Sequence, residues 1–136
     1  MRAKDVIEAS ANLRQAAAEL AELSERLGSP SSSGQVIGAL LDAQGSIEET
    51  LRELAQWHKG TIPGVHFAEH HPESAEGVSA VIKQLDRAAQ QAGGLRETLS
   101  QAYEGSGVVC WFDDVQELPA HPFLPVPVPE NVRGSN

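Results

Sequence analysis

The chain has 136 residues, 19 acidic against 10 basic, a formal net charge of −9, and only 4% aromatic residues. A chain of this size fits one domain and can bury a core without metal or disulfide staples. Its acidic balance, with no run of Lys or Arg, disfavours a nucleic-acid binder, whose affinity rests on clustered cations facing phosphates, and tells against an anionic membrane surface.

The single cysteine, Cys110, cannot form an internal disulfide, so nothing points to an oxidising compartment. Met1-Arg2-Ala3-Lys4-Asp5 leads into an amphipathic segment and not into an apolar signal-peptide core. The apolar runs fall far short of the ~20 residues that a membrane helix needs. The expected location is therefore the cytoplasm, or an assembly built there such as a virion, with no secretion by a signal peptide and no membrane partner.

Residues 3–27 predict a first helix. Val6, Leu13, Leu20 and Leu27 recur every seven residues with Ala9, Ala16 and Leu23 between them, the apolar seam of a coiled-coil-like helix. Gly28-Ser29-Pro30 ends it, and Ser31-Ser32-Ser33-Gly34 continues a polar connection. Residues 35–58 predict the second helix, with Ile37, Leu40, Ile47, Leu51 and Leu54 on its seam and Gln44 and His58 as polar interruptions. Gly38 and Gly45, one heptad apart, suggest a close helix–helix contact. Ser46-Ile47-Glu48-Glu49 would suit a capping box if the helix broke at Gly45, but the heptad continues through that point and favours one helix.

Residues 59–72 predict a loop, long for a connection between bundle helices, which usually takes roughly 2–8 residues. The third helix, residues 73–103, opens at Pro72 with Glu73 and Glu76 in its first turn. Val78, Val81, Leu85, Ala88, Ala92, Leu95, Leu99 and Ala102 form its seam. Gly93-Gly94 predicts a kink or a small-residue contact surface. The reading is an all-α protein, an antiparallel three-helix bundle over residues 1–104. Residues 105–136 form an apolar extended segment, Val108 to Phe112, and an arm with prolines at 119, 122, 125, 127 and 129, which exclude helix and favour polyproline-type geometry.

Chemistry-bearing patterns are few. His66, Glu69, His70 and His71 carry the right donors for zinc or another late divalent ion, and make a metal-binding protein or metal-dependent enzyme one alternative. Their spacing is not His-Glu-x-x-His and has no cysteine partner, so the plainer reading is a polar loop with His71 at a helix start. His58 reads as a helix-end histidine with solvent or a carbonyl as partner. Cys110 has no cation beside it, while Asp113 and Asp114 would oppose a thiolate, so it reads as a buried structural thiol. Glu48-Glu49 are adjacent on a helix and point about 100° apart, a solvated face rather than an acid–base pair. No phosphate-binding glycine loop is present, and neither catalytic residues nor a cofactor are predicted.

The arm is too apolar for a solvated tail. Trp111, Phe112, Phe123, Leu124, Val126 and Val128 are the candidate partner-binding residues, because preformed extended chain loses little entropy on docking. The function expected is a non-enzymatic structural or adaptor subunit of a larger assembly, for example a phage particle or a bacterial complex, whose partners are other protein subunits or copies of itself. A second alternative, an acidic inhibitor that mimics nucleic-acid charge, is weakened by the Arg and Lys interleaved among the carboxylates.

Overall fold

The computed structural model describes residues 3–113, with side chains from Asp5 onward. It is mostly helical: α1 spans Ala3–Leu23, α2 Ser32–Lys59 and α3 Pro72–Gly107. No strand is formed among the described residues, where β-type pairing is confined to an isolated bridge between Pro63 and Phe67. Phe123, Leu124, Val126 and Val128, with the proline arm, lie outside the described residues. The described chain divides into two units, one of residues through Ser31 together with those from Trp111, the other Ser32–Cys110, and each is taken by itself.

In the first unit, α1 tightens into a 3-10 turn over Ser24–Arg26 and stops at Leu27, whose backbone is extended. The Ser24 hydroxyl donates to the Leu20 carbonyl at 2.7 Å, satisfying an acceptor in the last turn. On the heptad stripe of α1, Val6, Leu13, Leu23 and Leu27 are 47–64% exposed and Leu20 is half-buried. In the same unit Ser31 donates its backbone N–H and its hydroxyl to the two carboxylate oxygens of Asp113, at 2.9 and 2.6 Å.

The second unit is a helical hairpin, α2 against α3. Glycine lets the two backbones come close. A Cβ on Gly34 would stand 3.0 Å from Ser106 Oγ, on Gly38 2.9 Å from Tyr103 Cε1, on Gly45 3.4 Å from Arg96 Cδ, and on Gly93 3.2 Å from Glu48 Oε2. Numbers rise along one helix as they fall along the other, so α2 and α3 run antiparallel. The buried residues between them are alanines, Ala55, Ala89 and Ala92, each no more than 5% exposed.

Both helices pass through their glycines unbroken. α2 continues across Gly45, and α3 across Gly93-Gly94, where a kink was one expectation. α3 also runs four residues past 103, to Gly107, where Val108 and Val109 donate to the carbonyls of Gly105 and Ser106. The Val108–Phe112 run forms a turn and irregular chain, with Val108 82% exposed. Among the described residues no helix is long and apolar enough to cross a membrane.

Candidate docking face of the helical hairpin

The hairpin has two unlike faces, and the difference follows from the sequence at 100° per residue. On α2 no Asp, Glu, Lys or Arg falls within an arc of about 160°, from Ile37 through Leu40, Ile47 and Leu54 to Thr50 and Trp57, and His58 is the titratable residue in it. On α3, beyond Glu73, an arc of about 140° from Leu85 through Ala88 and Leu95 to Thr98 is likewise uncharged. Measured from the glycine contact line in two antiparallel helices, both arcs open on the same side. The opposite side carries Asp42, Glu49 and Glu53 of α2 and Asp86, Glu97 and Glu104 of α3.

Leu40, Leu54, Val81 and Leu95 are 38–49% exposed, while Ile37, Ile47, Leu51, Leu85 and Leu99 are half-buried. Contiguous apolar strips of this length are uncommon on the surfaces of monomeric proteins. His58 interrupts the α2 part of this strip, with its Nδ1 2.7 Å from the Leu54 carbonyl.

The acidic side holds an open groove of about 590 Å³, lined by Leu41, Asp42, Gly45, Gly93, Arg96, Glu97 and Ser100. Beside it Glu48 is not the solvated residue its neighbourhood suggested. Its side chain is 14% exposed and takes Arg52 Nη2 at 2.8 Å on one oxygen and Arg96 at 3.0–3.1 Å on the other. The hydrogen bond from Arg52, then that from Arg96, holds the Glu48 carboxyl below its ordinary value. Lys59 and Asp86 add an exposed pair at 3.4 Å. The Arg52 pairing is the i,i+4 pattern that sequence could have offered; Arg96 needed the helix register.

The histidine loop is organised by its backbone. Gly64 adopts φ +84°, donates to the Phe67 carbonyl at 2.8 Å, and lies under the Glu69 side chain. The Ile62 N–H donates to His66 Nδ1 at 2.9 Å, so that nitrogen is occupied as an acceptor. His66 also stands edge-on to Trp57, 6.1 Å between ring centres. His71 occupies the N-cap position of α3 without a side-chain hydrogen bond to the helix backbone; its Nδ1 is 2.7 Å from Ser74 Oγ and its Nε2 3.4 Å from Glu73, while His70 is exposed. His58 Nδ1 lies 2.7 Å from the Leu54 carbonyl, the partner expected for a helix-end histidine. Among the described residues no three His, Cys, Asp or Glu side chains stand together so as to hold a metal ion.

Cys110 is exposed, which corrects the expectation of a buried thiol: the chain has left α3 at Gly107 and offers nothing to enclose it. Trp111 and Phe112 are 41% and 74% exposed. Comparison with known proteins gave no match to a family model, a curated protein or a solved structure.

Proposed function

We propose that the chain is a non-enzymatic structural or adaptor subunit that joins other protein subunits through the uncharged face of the α2–α3 hairpin. The observation that carries this reading is the segregation of charge: one side of the hairpin is acidic, and the other is a partly exposed strip of Leu, Ile, Val and small neutral residues. Burial of apolar surface contributes roughly 25 cal/mol per Å², so such a strip is a reservoir of binding free energy. Trp111 and Phe112, exposed beyond α3, suit the same role as an apolar attachment point, and the arm residues Phe123, Leu124, Val126 and Val128 extend it by sequence.

In a closed antiparallel three-helix bundle, the Val6–Leu27 stripe of α1 would cover this face within one chain. The breadth of the uncharged zone supports a wider cover. Thr50 and Trp57 on one shoulder and Gln84, Gln91 and Thr98 on the other are all uncharged, although a single helix lying between α2 and α3 would leave those shoulders in water.

The test is site-specific photo-crosslinking in cells that produce the protein. A photoreactive residue at Leu54 or Leu95 should yield protein adducts, and one at Glu97 on the acidic side should not. Absence of any protein adduct from Leu54 and Leu95 would end the docking reading.

A further inference from the structure

We propose that the partner on this face is the same face of a second copy, so that two hairpins meet through a two-fold axis and form a four-helix core. This rests on the docking reading above and names its occupant.

Charge is the first argument. Two copies of a chain carrying −9 repel each other wherever their carboxylates come near. The uncharged side of the hairpin lets them meet without opposing like charges, because Asp42, Glu49, Glu53, Asp86, Glu97 and Glu104 all stand on the other side. A basic partner would call for acids along the contact surface, and beyond Glu73 in the first turn of α3 the apolar face has none. An uncharged face selects an uncharged partner, and the face of a second copy is one.

Area is the second argument. α2 has 28 residues, which gives a face about 40 Å long at 1.5 Å per residue. Two helices about 10 Å apart, each about 10 Å across, make it roughly 18–20 Å wide. A flat contact of these dimensions buries roughly 700–800 Å² on each copy, the size of a standard stable interface. α1 presents a stripe only one helix wide and 21 residues long, and would cover less than the zone that the sequence keeps free of charge.

The residues also suit an isologous contact. Exposed Leu40, Leu54, Val81 and Leu95 alternate along the strip with Ala43, Ala88 and Ala102, so large side chains of one copy find small ones on the other. Gln44, Gln84 and Gln91 are neutral and carry both a donor and an acceptor, so each can pair with its own kind across a two-fold axis.

Sedimentation equilibrium of the full chain tests this directly. The expected species is a dimer whose dissociation constant barely changes between low and high salt, since no charges cross the interface. The double variant Leu54→Lys, Leu95→Lys should be a monomer with unchanged helicity, and so should Leu54→Glu, Leu95→Glu. Mixed together, these two variants should restore the dimer, because only face-to-face contact sets the lysines of one copy against the glutamates of the other. If either charged variant loses helicity, Leu54→Gln with Leu95→Gln serves instead and should weaken dimerisation at least tenfold. The double variant Leu13→Lys, Leu20→Lys on α1 should leave the dimer intact. A wild-type monomer at all concentrations overturns the proposal, as does a dimer lost with the α1 variant and kept with the face variants. A monomer that still yields heterologous adducts from Leu54 overturns self-association alone and leaves the docking reading standing.

Discussion

Arg96 of α3 reaches across the hairpin and places both Nε and Nη2 on one carboxylate oxygen of Glu48, at 3.1 and 3.0 Å, while Arg52 takes the other oxygen. Gly93 makes this possible, because a side chain there would press on the Glu48 carboxylate. The contact ties the two helices together at mid-length, where the packed residues are otherwise small.

The pH dependence of stability follows from this contact. The Glu48 carboxyl is held below its ordinary value of 4.5, first by Arg52 and then by Arg96. A depressed carboxyl contributes stability that is complete above 4.5 and is lost as pH falls through the lower folded value. Melting curves of the wild type and Glu48→Gln should therefore differ most at neutral pH, with the wild type higher. The gap should narrow steadily below pH 4.5. A gap that stays constant down to pH 2.5 would show that the carboxylate charge is not what Arg96 reads.

Gly93 and Gly94 are neighbours with opposite expectations. Nothing lies within 4 Å of a Cβ placed on Gly94, so Gly94→Ala should stabilise the hairpin by about 1 kcal/mol through helix propensity alone. At Gly93 the same methyl meets Glu48 Oε2 at 3.2 Å, and a leucine would displace the carboxylate from both arginines. Gly93→Leu should lower the melting temperature despite its better helix propensity. Chemical denaturation of the two variants beside the wild type checks both signs.

Cys110 is exposed and follows the end of α3, so a thiol reagent should modify the folded chain without denaturant, at a rate close to that of the unfolded chain. Slow modification that denaturant accelerates would place the thiol under cover after all.

The three helices were legible because each carries its own heptad, and glycine with proline marks where the first one ends. Which helices pack on one another was not legible, since three seams of the same period name no partner. The glycine stripe held that information: Gly38 and Gly45 one heptad apart announced a close contact, and Tyr103 and Arg96 fill the other side of it. The histidine cluster misleads as composition. His66, Glu69, His70 and His71 are close in sequence, but the Ile62 N–H holds the His66 ring and His71 sits at the N-cap position of α3, bonded to Ser74. The role of Glu48 stayed hidden because a helix-surface glutamate looks the same whether or not an arginine from the next helix lies over it.

The last prediction concerns Ser31 and Asp113. Ser31 immediately precedes α2, and Asp113 lies six residues beyond the end of α3, so the pair joins residues separated by almost the whole described hairpin in sequence. Asp113 accepts two hydrogen bonds from one residue, the hydroxyl at 2.6 Å and the N–H at 2.9 Å, and both favour its charged form. The hydroxyl is the larger cause and the backbone N–H the second, and together they hold the carboxyl below its ordinary value of 3.8. Carbon-13 NMR titration of the Asp113 carboxyl should show a midpoint below 3.8 in the wild type. Ser31→Ala removes the hydroxyl and keeps the N–H, so the midpoint should rise part of the way back. Ser31→Pro removes both donors and should bring it the rest of the way. In the wild type the Ser31 amide proton should shift upfield as Asp113 protonates, with the same midpoint. An Asp113 midpoint that ignores both substitutions would show that the Ser31 contact does not persist in solution.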